Sequence, residues 1–446
     1  METIRFDQSL DVFASLILDT LGGDVLKAGT VLRNASGHLA FITDSELPQE
    51  TARHAEQTLA ERLPAYCRSG GVVLTPQLPG VAALSRHGRV YLEEVTTPGG
   101  RFPIRVMEQR IVGQDWLEAP APSVNAPAAP RIVFASLKGG VGRSTALAVV
   151  AADLARRGRK VLVVDLDLEA PGIGTMLLTQ EALPRFGLLD WYVEQAINGT
   201  DRDFLLDMIA ASDFGAGRGL IDVAPAVGKT GHRHPANILA KIARAYLEQP
   251  EKEGTGTLSF LDQTRRLIDA LSDLKRYDAI LIDARAGLNE STAAAILGLG
   301  AQILLFGEHT PQTFAGYRYL LAHLARFPRS EADDWLYRLR TVHAKASADL
   351  DRQQAFRDQA YSIFQDYLYQ DIPLPGEDGN PSAETSLPEA SIDDPEAPHF
   401  AWPVLRDSNY FDVDPLSEPA QLTPALYERT YRALLEGVNS LLVPES

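Results

Sequence analysis

Residues 136–145 read SLKGGVGRST, between the apolar run RIVFA (131–135) and the helical pattern ALAVVAADLARRG (146–158). A strand, a glycine-rich turn and a helix in that order make an anion site. Successive backbone N–H groups and the helix N-terminus turn positive charge toward one point. Gly139, Gly140 and Gly142, with Val141 between them, let the main chain wrap closely round oxygen atoms. Ser144 stands where a hydroxyl can ligate Mg²⁺, and Thr145 is beside it. Against the general phosphate-loop pattern G-x-x-x-x-G-K-[ST] there are two departures: Leu137 replaces the first glycine and Arg143 replaces the lysine. A guanidinium keeps the charge and can grip oxygens in pairs, but it is planar and bulkier than an ammonium.

Outward from the turn, KVLVVDLDL (160–168), YDAILIDA (277–284) and AQILLFG (301–307) are continuous apolar runs of strand length. That is the character of parallel strands buried on both faces. Their alternation with helical stretches predicts an α/β fold, a doubly wound and mostly parallel sheet, over residues 131–446. Asp165 and Asp167 sit at the end of one strand, two apart and so expected on one sheet face; Asp283 sits at the end of another. Strand-end aspartates can simply cap the next helix. Beside a glycine turn, Asp283 stands where an outer-sphere Mg²⁺ ligand is expected.

The stretch EAPAPSVNAPAAP (118–130) lacks periodic apolar positions and reads as a semi-stiff linker. Before it, residues 1–117 mix helical spacing (9–21 and 47–63), an alternating strand (38–43) and a hairpin around Thr-Pro-Gly-Gly (97–100), predicting a small α+β domain. Residues 372–398 are acidic and proline-rich without a lysine or arginine, expected to be a mobile loop. TPALYERTYRALLEGVNSLL (423–442) is an amphipathic helix with few cations, suited to packing on the sheet. His232 and His234, without a neighbouring ligand pattern, make a poor zinc site.

The net charge of −17 disfavours nucleic acid as a partner for the chain alone. The basic run 156–160 falls at a helix end, where cations complement the dipole. The longest apolar stretch, 293–306, is shorter than the roughly 20 residues of a membrane span. With no basic and apolar leader in METIRFDQSL and one cysteine, Cys67, a cytoplasmic location is expected.

KGGVGRST (138–145) resembles the deviant phosphate loop K-G-G-x-G-K-[ST]-T of the ParA/MinD/ArsA family of dimerising ATPases. The likeness continues through VLVVDLDLEAPG (161–172), similar to that family's switch I, and AILIDARAGLNE (279–290), similar to its switch II. It covers roughly residues 131–330, more loosely the rest, and leaves 1–117 outside. The resemblance implies a P-loop NTPase that binds ATP and Mg²⁺ and forms a homodimer on ATP binding. Residues 139–145 would cradle the phosphates, with Arg143 on the β- and γ-phosphates in lysine's place. Lys138 would reach the partner's nucleotide, Asp167 would orient the attacking water, and Ser144, Asp165 and Asp283 would serve the metal. Gly287 would let switch II move. Two stretches depart from the family: Asp283-Ala284-Arg285-Ala286-Gly287, where Arg285 adds a cation, and Asp167-Leu168-Glu169-Ala170-Pro171-Gly172.

The expected function is a Mg-ATP-dependent switch ATPase with slow hydrolysis, coupled to a protein partner through residues 1–117. Its setting would be cargo positioning or partition, or a bacterial antiviral defence system. Two alternatives remain at this stage: an ATP-binding scaffold with little hydrolysis, and a phosphotransfer enzyme of the same fold.

Overall fold

The computed structural model describes residues 3–67, 71–75, 81, 90–124, 128–215, 217, 219–250, 256–329, 333–369 and 390–442. Contacts divide the chain into two units, Met1–Glu118 and Ala119–Ser446.

In the first unit the helix Phe6–Leu21 buries Leu10, Phe13, Ala14 and Ile17, the three-to-four spacing of one helical face. These residues share a core with Phe41, Leu59 and Val106. The sheet contains β1 (Thr30–Arg33), β2 (Leu39–Ile42), β3 (Val73–Leu74), β4 (Val90–Thr97) and β5 (Gly100–Glu108), in the order β3-β2-β1-β5-β4. β4 and β5 form the expected antiparallel hairpin, whereas β1 and β5 run parallel. Gly100 closes the hairpin at φ +114, a conformation open to glycine.

The second unit is built on β6 (Arg131–Ser136), β7 (Lys160–Asp165), β8 (Ala210–Ala211), β9 (Leu220–Ala224), β12 (Ala279–Ala286), β13 (Gln302–Gly307), β14 (Leu339–Ala346) and β15 (Trp402–Leu405); β10 (Gln249–Pro250) and β11 (Thr257–Leu258) form a separate ribbon. The large sheet runs β15-β14-β13-β6-β12-β7-β9-β8. Every pairing is parallel except the edge pair β8–β9. All six residues of β6 are buried, which explains the apolar run from Ile132 to Ala135 at its centre. The helices Arg143–Arg156 and Pro424–Leu441 share one core with this sheet: Val149, Val150, Tyr427, Leu434 and Val438 meet Ile132, Phe134, Val163 and Phe306. The C-terminal helix therefore packs on the sheet. This is the doubly wound, mostly parallel α/β sheet that the strand pattern predicts.

The proline- and alanine-rich stretch read as a linker differs from that expectation where it is described. Ala121 N–H donates to Leu297 O at 2.7 Å, and Ser123 donates from both its N–H and its hydroxyl to Asp333 at 2.7 Å. Residues 119–124 are thus a strap on the second unit: main-chain groups that a free linker would leave to water find partners there. Of the acidic stretch 372–398, residues 372–389 lie outside the described residues. The remainder is tied down, because the Arg340 guanidinium donates to the carbonyls of Pro395, Glu396 and Ala397. Arg156 and Arg157 of the basic run are paired with Asp153. Among the described residues no helix is long and apolar enough to cross a membrane.

Candidate functional site

The glycine turn leaves β6 at Ser136 and enters the helix at Arg143, with Val141 buried as its anchor. Gly140 and Gly142 have φ of +73 and +89. A Cβ placed on Gly139, Gly140 or Gly142 would meet no atom within 4 Å, so the turn presents bare main chain on an open side. Leu137 accounts for one departure from the general pattern. Its side chain rests on the helix Pro311–Leu324 at Gly316, where an added Cβ would come within 2.9 Å of it.

Asp165 is the last residue of β7 and is paired in register with Asp283 of β12. Both are buried. Two neighbouring carboxyls away from water resist ionisation together: burial first, then Asp283 and Asp167, hold Asp165 well above the usual carboxylate range. Burial also raises Asp283, against the opposing pull of Arg143 and Ser144. Asp167 does not share the strand with Asp165 as its spacing predicts. The strand stops at Asp165, and the chain folds back so that Asp167 N–H donates to Asp165 Oδ1 at 3.2 Å. Asp283 lies inside β12 rather than at its end, before an irregular register that carries the strand to Ala286.

Arg143 is turned inward. Its Nε donates to Asp283 Oδ1 at 2.5 Å, one terminal nitrogen donates to Asp167 Oδ2 at 3.1 Å, and the other to Ser136 Oγ at 3.2 Å. Burial opposes its charge, but Asp283 and Asp167 outweigh burial and hold its pKa above the ordinary arginine value. Ser144 Oγ donates to the second oxygen of Asp283 at 2.5 Å. The second oxygen of Asp165 is buried without a hydrogen-bond partner.

Two further groups flank the turn that sequence reasoning did not find. Glu308, the residue after β13, accepts from Lys138 at 3.2 Å and from Lys345 of β14 at 2.9 Å. Lys345 also donates to the carbonyl of Gly140 at 2.6 Å. Burial works against the Glu308 charge, but the two ammoniums hold its carboxyl below the usual range. On the other flank, Glu169 takes an ion pair from Arg285 at 2.7 Å and a hydrogen bond from Tyr246 at 2.7 Å. Arg285 is therefore committed to a neighbour of Asp167. The charges were visible in the sequence, but nothing local joins positions so far apart.

The chemistry of the donor set suits a hard cation: the Ser144 hydroxyl, the Asp283 carboxylate and the unpartnered oxygen of Asp165 are all oxygen donors. Among the described residues no group of three or more histidine, cysteine, aspartate or glutamate side chains is arranged to hold a metal ion directly. His232 and His234 are exposed. His399 is buried and bonded to Tyr369 at 2.8 Å and to Ile392 O at 3.1 Å.

The parallel sheet, the glycine turn and the helix it opens are consistent with the P-loop NTPase fold. Residues 128–193, which span the turn, its helix and β7, match the ParA family model, described as NUBPL iron-transfer P-loop NTPase. The chain resembles the ParA/MinD-type P-loop NTPases. Among solved structures it is similar to the cell-division ATPase MinD of Pyrococcus furiosus, at 19% identity over 70% of this chain and 99% of that one, with a TM-score of 0.41. A putative plasmid partition protein of Borrelia burgdorferi bound to AMPPNP is similar at 14% identity over 70% and 99%, TM-score 0.40. The ParA of pNOB8 bound to nonspecific DNA is similar at 17% identity over 69% and 99%, TM-score 0.39. No curated protein matches the chain.

Proposed function

We propose that the second unit binds ATP with Mg²⁺ and acts as a dimerising switch ATPase with slow hydrolysis. The observation that carries this reading is the open main-chain cradle at Gly139, Gly140 and Gly142 beside the buried pair Asp165 and Asp283. Amides of residues 139–145 would orient the phosphates, aided by the N-terminus of a 14-residue helix. Ser144, Asp165 and Asp283 would hold Mg²⁺, which supplies neutralising charge at the β- and γ-phosphates when bound. Asp167 would orient water, and Lys138 would act across the dimer. Met1–Glu118 would couple the switch to a protein partner, in cargo positioning or partition or in bacterial defence.

The test is calorimetry with ATP and with GTP, each with and without Mg²⁺, alongside light scattering. Saturable, metal-dependent ATP binding with a doubling of mass is expected. No affinity for either nucleotide in the presence of metal refutes the reading.

A second reading is favoured by one contact: the Arg143 guanidinium is 3.1 Å from Asp167 Oδ2, the carboxylate assigned to water. In that reading the protein binds ATP and dimerises but barely hydrolyses it. Single-turnover hydrolysis by the ATP-bound protein separates the two.

A further inference from the structure

In the sheet order β14-β13-β6, three adjacent strand tips each contribute one charge to a single cluster. Lys345 comes from the end of β14, Glu308 directly follows β13, and Lys138 is in the turn after β6. Glu308 bridges the two ammoniums, at 2.9 Å to Lys345 and 3.2 Å to Lys138. Lys345 is also the one non-glycine residue with positive φ among the described residues, at +50. An L-residue adopts that conformation at a cost, so the surrounding structure must impose it. It occurs where the register between β14 and β15 shifts, between His343 and Ala346. The side chain ends with Nζ on the Gly140 carbonyl at 2.6 Å.

An ordinary surface ion pair contributes little and requires no strained backbone. Here a strained residue holds a carbonyl of the glycine turn itself. That carbonyl is an acceptor, and an anion in the turn is favoured only if N–H groups, not C=O groups, face it. Holding the Gly140 carbonyl on a cation keeps it engaged and adds positive charge to the rim. Glu308 does the opposite: it accepts from Lys138 and competes with any anion for that ammonium.

We propose that Lys345 is a positioning residue that sets the glycine turn through the Gly140 carbonyl, and that Glu308 restrains Lys138 until a polyphosphate replaces it. This rests on the nucleotide-binding reading above. The experiment uses the full chain and calorimetric titration with Mg-ATP, on wild type, Lys345→Met, Lys345→Arg and Glu308→Gln, at low and at high salt. Lys345→Met weakens binding about tenfold, the scale of one charge acting close to the ligand. Lys345→Arg recovers most of that loss, and Glu308→Gln tightens binding severalfold, with the gain shrinking at high salt. Melting curves without nucleotide identify any variant that fails to fold; if Lys345→Met does, Lys345→Arg and Glu308→Gln decide. If wild type binds Mg-ATP and the folded variants stay within about twofold of it, or Glu308→Gln weakens binding, this inference is overturned while the nucleotide reading stands. If wild type does not bind, the nucleotide reading falls and this inference falls with it.

Discussion

Arg143 donates from Nε to Asp283 Oδ1 at 2.5 Å, so the cation of the phosphate loop faces inward onto carboxylates rather than outward into the turn. Removing it strands two buried acids. Arg143→Ala is expected to destabilise the second unit by about 3 kcal/mol, the cost of leaving a buried charge unpaired. Arg143→Lys keeps the charge but cannot reach Asp283, Asp167 and Ser136 at once, and should fall between the two. Urea unfolding midpoints check this; an Arg143→Ala midpoint equal to wild type contradicts it.

Gly139 and Gly142 separate blocking from strain. Gly142 has φ +89, so Gly142→Ala costs about 1 kcal/mol of stability. At Gly139 the backbone is not left-handed, and Ala there should leave stability unchanged. Both methyl groups project into the open side of the turn, so both variants should lose at least about tenfold in ATP affinity. Normal binding by Gly139→Ala would mean that the turn is not the cradle.

The strap at residues 119–124 depends on Asp333, which accepts two hydrogen bonds from Ser123 at 2.7 Å. Asp333→Ala should release it. Limited proteolysis should then cut within 119–124 several times faster than in wild type. An unchanged cleavage rate would show that Ala121 and Val124 suffice to hold the segment.

Stability should fall on acidification through His343. Burial, with His309 beside it, pushes its pKa from 6.5 down to about 4. The folded protein therefore binds fewer protons than the unfolded chain between those values, and unfolding takes them up. The stabilisation is complete above about pH 6.5 and is lost as pH falls toward about 4. Burial lowers His399 as well, with the same sign. His343→Phe, which retains a ring to stack on Phe356, should flatten the dependence of melting temperature on pH. Parallel profiles for variant and wild type would exclude His343 as the source.

What could be read in advance follows from which interactions are local. β6, β7, β12 and β13 were legible because strands covered on both faces are apolar throughout. β9 was not, because Asp222 interrupts LIDVA; the fold satisfies that carboxylate with Tyr277 at 2.8 Å and Lys275 at 2.6 Å. β14 was hidden in the same way by Arg340, His343 and Lys345. The glycine turn was legible because its parts are contiguous. The direction of Arg143 was not, since a residue's identity does not fix which of two charged neighbourhoods its side chain enters. Glu308 and Lys345 lie 170 and 205 positions from Lys138 and Gly140, beyond any local pattern.

The place of β6 in the sheet has a consequence for synthesis. Its two neighbours are β12 and β13, which begin at Ala279 and Gln302, so a nascent chain carries the apolar segment RIVFAS long before either partner exists. Closing such distant pairings is slow, and until they close the segment is exposed to other chains. Ribosomes stalled before Ala279 should therefore bear an aggregation-prone nascent chain that holdase chaperones engage, and this protection should become dispensable once residues through Gly307 have emerged.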